Sequence, residues 1–248
     1  MRRIYRIGSD DHPAHHDSIS YAACDIERGA LALLPTETVY GIGVSVAAAA
    51  ASMQEQHRMV PVRESGYERI FSLKQRDRTQ TVPWLVAGVQ ALDTYGSEVD
   101  PRARALATEL WPGALTIVVQ ATDQVPSFLQ AADGTVALRA SASPAIQALI
   151  ARVHAPLAVT SANTHGAPAP TSFANVESRI LSGVDVAIDA GATGSDEAST
   201  IVSFTSGSLE ILRIGAISPK KILSIVHALP SVGSDGSLPV SERGWQKP

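Results

Sequence analysis

Four polar clusters carry the residue types that could do chemistry in this chain, and each of them directly follows an apolar run. The first is the segment PTETVYG at 35–41, which places two threonine hydroxyls around Glu37. The others are Lys74-Gln75-Arg76, Thr160-Ser161-Ala162-Asn163, and the pair Ser199-Thr200 with Arg213. Ligands of open α/β sheets bind where strands end, so these clusters are candidate ligand contacts.

The residue types in these clusters favour binding of anions and small polar ligands. Lys74 and Arg76 would project to one side of an extended segment, where two cations bind phosphate or carboxylate. Ser161 and Asn163 can each donate and accept hydrogen bonds, which suits an amino acid or a nucleotide. None of the clusters pairs a nucleophile with a base. The combination predicts catalysis by positioning and charge neutralisation, as in phosphoryl and nucleotidyl transfer.

Each cluster taken alone also has a purely structural interpretation. Hydroxyls after a strand commonly cap a turn, a K-x-R pair commonly lies on a solvated face, and an arginine at a strand end commonly forms a surface ion pair. The recurrence of all four clusters after apolar runs favours the functional interpretation. We predict no metal site, because no known ligand spacing occurs, and the histidine-containing segment Asp10 to Asp17 reads as a solvated loop.

Common catalytic signatures are absent from the sequence. Gly41 and Gly43 begin like a dinucleotide fingerprint, but Val46 stands where the third glycine is needed. The sequence contains no P-loop, no H-E-x-x-H and no G-x-S-x-G motif. These absences exclude the usual P-loop, zinc-hydrolase and nucleophile-elbow classes.

Composition excludes further classes. The 248 residues are 45% hydrophobic and 18% charged with a net charge of −4, which argues against disorder and against bulk electrostatic binding of nucleic acid. The single cysteine, Cys24, excludes an internal disulfide and is predicted to be a small buried hydrophobic residue. Neither a membrane helix nor a signal peptide is apparent, so we expect a cytoplasmic protein without membrane contact.

Predicted helices and strands alternate, which favours one α/β domain with a mixed, twisted sheet over residues 1–229. Strands are predicted at 2–7, 30–34, 82–86, 115–120, 136–139, 156–160, 185–189, 200–204 and 209–213. Helices are predicted at 18–29, in part of 44–60, and at 67–73, 89–95, 101–110, 144–153, 173–181 and 218–229. We predict a loop at 36–43 and a flexible C-terminal tail at 230–248.

Several of these stretches together resemble the YrdC family of L-threonylcarbamoyl-AMP synthases. They are LLPTETVYGIG (33–43), LKQR (73–76), LWPGALTIVV (110–119), TVALRAS (135–141), PLAVTSANTHGAPAPT (156–171), DAGATG (189–194), STIVSF (199–204) and ILRIG (211–215). They run in the family's order over roughly residues 20–215, and chance agreement of the whole set is very improbable.

The resemblance implies a YrdC-like single domain, with a twisted mixed β-sheet, flanking helices and a positively charged concave groove. It implies a nucleotidyltransferase that combines L-threonine, bicarbonate and ATP, with Mg²⁺, into threonylcarbamoyl-AMP and pyrophosphate. A downstream threonylcarbamoyl transferase complex would then modify an adenosine next to the anticodon of tRNA. Binding of tRNA or double-stranded RNA by the chain itself is a further candidate property.

Carried over position by position, the resemblance assigns roles to individual residues. Lys74 and Arg76 become catalytic residues that neutralise the triphosphate or the carboxylated intermediate. The threonine contacts are Thr38, Arg139, Ser161 and Ser199. The ATP contacts are Arg76, Gln80, Thr135, Asn163, Thr171 and Arg213.

The sequence departs from the family pattern at several points. The stretch MQEQHRMVPVRESG (53–66) looks inserted, and Leu85 stands where many relatives place a histidine near threonine. Asp77 and Ala198 each replace a common proline. Two alternatives therefore stay open: a carbamoyl-adenylate enzyme with a different acceptor, and an RNA-binding or ribosome-maturation factor that uses the same groove.

Overall fold

A computed structural model describes residues 2–8, 13–56, 65–77, 81–195 and 197–229. Within these ranges the helices are α1 (Pro13–Glu27), α2 (Val46–Gln56), α3 (Gly66–Lys74), α4 (Ala91–Tyr95), α5 (Pro101–Leu110), α6 (Pro144–Val153), α7 (Ser178–Gly183) and α8 (Pro219–Ala228). The strands are β1 (Arg3–Arg6), β2 (Ala32–Pro35), β3 (Tyr40–Ser45), β4 (Trp84–Leu85), β5 (Gly96–Ser97), β6 (Leu115–Ala121), β7 (Thr135–Arg139), β8 (Leu157–Ser161), β9 (Val186–Asp189), β10 (Thr200–Ser203) and β11 (Glu210–Arg213). Two short 3₁₀ turns lie at Ser127–Leu129 and Phe173–Asn175.

The described strands form one mixed sheet in the order β1-β9-β2-β3-β8-β4-β7-β6-β10-β11, with β5 paired to β6. Strands β3 and β8 are antiparallel, with Gly41 opposite Ser161. Strands β4 and β7 are parallel, with Leu85 beside Arg139. The β6–β10 pair is also parallel. The prediction of a single α/β domain with a twisted mixed sheet and flanking helices is confirmed.

Both faces of the sheet are covered, as the alternation along β2 illustrates. Leu33 belongs to one buried cluster, together with Ile70 of α3 and Leu106 of α5. Its neighbour Leu34 belongs to the cluster on the opposite face, with Ile146 of α6. Successive strand side chains point to opposite faces, so a strand with both sets buried needs helices on each side. This arrangement explains why β2 reads as a continuous apolar run.

Helix boundaries follow local capping chemistry. Ser65 and Glu68 form a capping box at the start of α3. Asp100 accepts a hydrogen bond from the backbone of Arg102, at the start of α5, and Ser218 caps α8 as predicted. None of the described helices combines the length and the apolar character that crossing a membrane would require.

Of the segment 36–43, predicted to be a loop, residues 36–39 lie in a loop between β2 and β3. Residues Tyr40–Ser45 form β3, all of them buried, between β2 and β8. Glycine is required here by close packing. A Cβ on Gly43 would lie 2.5 Å from the carbonyl oxygen of Ala158, and one on Gly41 would lie 2.5 Å from Val159 Cγ1. The two glycines therefore indicate close strand contact, and the loop prediction is wrong for residues 40–43.

Other predictions need smaller corrections. Helix α1 begins at Pro13, within the segment that was predicted to be a loop. The predicted helix at 173–181 is a 3₁₀ turn followed by α7. Cys24 is exposed, because the inward face of α1 is formed by Ala22, Ala23 and Ile26. The predicted tail at 230–248 and residues 57–64 of the apparent insertion lie outside the described residues.

Candidate functional site

A groove of about 280 Å³ runs across one face of the sheet. Alternate residues of β6 (Thr116 and Val118) and of β7 (Thr135, Ala137 and Arg139) line it, whereas β8 contributes three consecutive residues at its end, 159–161. The two-residue period of a strand explains the selection on β6 and β7, because every second side chain of a strand faces the same side of the sheet.

Eight of the predicted site residues line this groove. They are Thr38, Lys74, Arg76, Thr135, Arg139, Ser161, Ser199 and Arg213. Asn163 and Thr171 lie outside the lining, and Gln80 falls outside the described residues. Leu85, where the family resemblance leads one to expect a histidine, lines the groove as an apolar, 4% exposed side chain.

Lys74 is held by protein oxygens at the end of α3. Its Nζ donates to Ser161 O at 2.7 Å, to Asn163 O at 2.9 Å and to Asn163 Oδ1 at 3.0 Å. Burial, with the nearby Arg76 guanidinium as a second cause, lowers the pKa of Lys74 to about 7. The side chain therefore ties the end of β8 to α3, and the three short hydrogen bonds use its three protons.

The expected extended geometry of Lys74-Gln75-Arg76 is wrong. Lys74 is the last helical residue of α3, and Gln75 caps the helix in the left-handed region at φ 52°. The chain turns at Gln75, so the side chains of Lys74 and Arg76 do not project in parallel as they would in an extended segment. Both side chains nevertheless reach the same groove.

Arg76 is anchored by two of its nitrogens. Nη2 donates to Thr81 O at 2.8 Å and Nη1 donates to Thr160 Oγ1 at 3.3 Å. Its Nε is buried and has no hydrogen-bond partner among the described residues. Burial also lowers the pKa of Arg76. Keeping a partly unsatisfied cation in this position costs free energy, which is typical of a functional group.

Arg139 is the centre of a hydrogen-bond network at the end of β7. Its Nη2 donates to Glu37 Oε1 at 2.6 Å and to Thr38 Oγ1 at 3.1 Å, and its Nε donates to Gly113 O at 3.1 Å. Ser141 donates to the other carboxylate oxygen of Glu37. Although burial alone would raise the pKa of Glu37, Arg139 and Ser141 hold it below its ordinary value.

Arg213, the last residue of β11, also lines the groove. Its Nε donates to Ser199 O at 2.9 Å and its Nη2 donates to Ser199 Oγ at 2.9 Å. Ser199 Oγ also lies 2.9 Å from Thr116 Oγ1. Burial and, secondarily, the charge of Arg139 lower the pKa of Arg213 to about 10. The lowered value indicates that the two cations share one poorly solvated space.

The charged groups of the groove are unequal in number. Among the described lining residues, the cations Lys74, Arg76, Arg139 and Arg213 face a single carboxylate, Asp133. Asp133 Oδ1 accepts hydrogen bonds from the backbone N and the hydroxyl of Thr135. In the described part of the chain, no group of three or more His, Cys, Asp or Glu residues could hold a metal ion. This composition suits a polyanionic ligand.

Sequence reasoning did not identify Glu37 and Gly113 as site residues. Glu37 lies in the PTETVYG cluster, but its contact with Arg139 joins residues 102 positions apart. Gly113 contributes a backbone carbonyl, which no residue type signals. A larger cavity of about 490 Å³ between α1, α2 and α3 contains none of the predicted site residues.

Comparisons with known proteins identify the family and relatives of this chain. The family model described as "Sua5_yciO_yrdC: Telomere recombination" matches residues 60–215. A protein of Mycobacterium leprae named putative threonylcarbamoyl-AMP synthase is 30% identical over 231 residues, which cover 93% of this chain and 97% of that protein. The threonylcarbamoyl-AMP synthase of Pyrococcus abyssi is 30% identical over 208 residues, which cover 84% of this chain and 57% of that protein.

A solved structure gives the same fold. The crystal structure of Pyrococcus abyssi Sua5 complexed with L-threonine matches with a TM-score of 0.76 at 29% identity, covering 90% of this chain and 60% of that one. The chain thus spans less than two thirds of the Pyrococcus protein and nearly all of the Mycobacterium leprae protein.

Proposed function

Because the chain belongs to the Sua5/YciO/YrdC family, we propose that it is an enzyme that makes threonylcarbamoyl-AMP from L-threonine, bicarbonate and ATP. The observation that carries the proposal is the groove, which gathers eight residues from separate stretches of the chain. All eight are among the residues that the family resemblance assigns to catalysis, threonine or ATP. Relatives named for this reaction support the proposal.

The proposed reaction needs positioning and charge neutralisation. The threonine amine attacks the carbon of CO₂ and loses a proton, or attacks bicarbonate with loss of water, and either route forms a carbamate. A carbamate oxygen then attacks the α-phosphorus of ATP, the bond to the bridging oxygen breaks, and pyrophosphate leaves. This step classes the enzyme as a nucleotidyltransferase. Fixed cations that face the phosphates lower the barrier to such a transfer.

The arginines are suited to this task in different ways. Arg76 and Arg213 are buried cations in the groove, and burial is the main cause that lowers the pKa of each guanidinium. We assign them to the phosphates of ATP. Lys74 uses its three protons on protein oxygens. It therefore contributes its charge and the position of Ser161, while the direct phosphate contacts fall to the arginines.

Mg²⁺ is expected to enter with ATP. Enzymes that act on nucleotides commonly bind this ion through the substrate phosphates and one or two carboxylates. Asp133, the carboxylate among the described lining residues, is the candidate protein ligand. When bound, the ion would further neutralise the charge of the leaving pyrophosphate.

The product would serve a downstream transferase complex that modifies tRNA. On this proposal the chain itself need not hold tRNA, and direct binding of tRNA or double-stranded RNA stays a separate prediction. Two alternative functions have to be distinguished from the synthase by experiment. One is a carbamoyl-adenylate enzyme with another acceptor, and the other is an RNA-binding factor.

The test is pyrophosphate release with ATP, bicarbonate and each amino acid in turn. We expect release that depends on L-threonine, and an Arg76→Ala variant should lose about 100- to 1000-fold of the rate while its thermal unfolding stays cooperative. Arg104→Ala, which removes an arginine of α5 that pairs with Asp93 of α4, is the matched control and should keep full activity. Release without any amino acid, or none with threonine, would contradict the proposed function.

A further inference from the structure

Glu37 is the one carboxylate that fixes a groove arginine among the described residues, and no role has been assigned to it so far. Its two oxygens are used on different partners: Oε1 accepts from Arg139, and Oε2 accepts from Ser141. The side chain of Arg139 is 8% exposed and that of Glu37 is 21% exposed. A charge-assisted hydrogen bond at this depth is strong enough to select one orientation of the guanidinium.

The hydrogen bonds of Arg139 leave only part of its guanidinium for a ligand. Nε is used by Gly113 O, and the two protons of Nη2 are used by Glu37 and Thr38. Nη1 has no hydrogen-bond partner among the described residues, and it is not among the buried unsatisfied atoms. Two of the five donors, both on Nη1, are therefore free to meet a ligand.

Thr38 has a defined hydrogen-bond direction for the same reason. Thr36 Oγ1 donates to Val39 O at 2.6 Å, so its proton is used there. The 2.9 Å contact between the two hydroxyls must then be donated by Thr38. Thr38 Oγ1 accepts from Arg139 and donates to Thr36, so it can offer a ligand only a remaining lone pair.

We propose that Glu37 is a positioning residue that holds Arg139 so that its Nη1 alone meets the α-carboxylate of the amino acid substrate, end-on. The accompanying Thr38 oxygen then accepts a hydrogen bond from a donor of the same substrate, its amine or its hydroxyl. The specificity follows from the geometry: a carboxylate meets donors at Nη1, and a donor group meets the acceptor at Thr38. A guanidinium that lacked Glu37 would rotate, and a carboxylate could then bind it in several ways.

This inference rests on the proposed function only in naming an amino acid as the ligand. The variant is Glu37→Gln, which keeps the size of the side chain and removes its charge. We expect the KM for L-threonine to rise about 10- to 100-fold, while the KM for ATP and kcat stay within about twofold. Ser141→Ala, which releases the second oxygen of Glu37, should raise the KM for threonine by a smaller factor.

The matched control is Asp100→Asn, since Asp100 forms an ion pair with Arg102 at 2.6 Å outside the groove. Asparagine also caps helices well, so this variant should leave all the kinetic constants unchanged. L-threoninamide, which lacks the carboxylate, is the probe of the proposed contact. The wild-type preference for threonine over this amide should be reduced in Glu37→Gln. An unchanged KM for threonine in Glu37→Gln would overturn the inference and leave the synthase proposal intact.

Side-chain NMR decides the inference independently of activity. The Nη signals of Arg139 should be resolved in the wild-type protein, because two bonds hold Nη2, and they should average in Glu37→Gln. If the wild type released no pyrophosphate with any amino acid, the proposed function would fail. The role of Glu37 would still be supported if the Arg139 Nη signals were resolved in the wild type and averaged in Glu37→Gln. Averaged Arg139 signals in the wild type would overturn it.

Discussion

The buried ammonium group of Lys74 should make this protein more stable as the pH rises above neutrality. The residue is 2% exposed, and its pKa is lowered to about 7 from an ordinary value of 10.5. Between these two values the unfolded chain binds a proton that the folded chain does not. The free energy of unfolding therefore increases with pH across that window, and it becomes independent of this group below the lower value.

The size of the effect follows from the linkage relation. One proton bound only by the unfolded state gives a slope of about 1.4 kcal/mol per pH unit, and about half of that where the folded group is half protonated. From about pH 7 to about pH 9 the gain is about 2 kcal/mol. Burial raises the pKa of Tyr67 to about 12, which lowers stability with rising pH only above about pH 10. The measurement therefore stays below that value.

Urea unfolding at several pH values between about 7 and 9 tests this prediction. Lys74→Met removes the titrating group and leaves Ser161 O and Asn163 O without their donor, so its stability should be lower at every pH. Its pH slope should nevertheless lack the Lys74 contribution. Lys74→Arg, which stays charged throughout, should also lose the slope and serves if the methionine variant does not fold. Lys221→Met, at an exposed position on α8, should keep the wild-type slope. A wild type without the rise, or a Lys74→Met variant that retains it, would refute the burial argument.

Two further predictions concern packing and proton uptake. Gly43→Ala should destabilise the protein by about 1–3 kcal/mol, because the new Cβ would lie 2.5 Å from the Ala158 carbonyl oxygen. Gly88→Ala, whose Cβ would first meet the end of a flexible side chain at 3.3 Å, is the control, and equal melting temperatures for the two variants would contradict the close strand contact. Binding of ATP near pH 8 should take up a proton, because a polyanion beside Lys74 raises its pKa from about 7. Calorimetry in two buffers of different ionisation enthalpy measures this uptake, and identical binding enthalpies would contradict it.

The parts of the fold that the sequence predicted well are those with a clear period or a cap. Helix α6 shows apolar residues at the spacing of one helix face, and α8 begins with Ser218 and Pro219, as a capped helix does. Strand β7 was predicted to within one residue of its start. These signals are local, because each one depends on residues within a turn or a strand of one another.

The errors arose where a distant contact decides the local structure. Glycines in TETVYGIG were interpreted as loop residues, whereas Gly43 is required by the close approach of β8. Cys24 was predicted to be buried on the basis of residue type alone, although its position on α1 faces away from the core. The bond between Glu37 and Arg139 depends on the order of strands in the sheet. No period or spacing in the sequence encodes that order directly.

The sheet order explains how clusters that are far apart in the sequence form one groove. Strands β3, β8, β4, β7, β6, β10 and β11 are consecutive neighbours in the sheet, and each lies beside or contributes residues to the groove. Arg139 on β7 and Arg213 on β11 are separated by β6 and β10 in the sheet, and both line the groove. The charge of Arg139 contributes to the lowered pKa of Arg213. The two guanidinium groups therefore repel each other in the folded protein, and an anionic ligand that binds between them would relieve this repulsion. A ligand with several negative charges gains affinity from this relief as well as from its own contacts, whereas a neutral ligand of the same shape gains only the contacts.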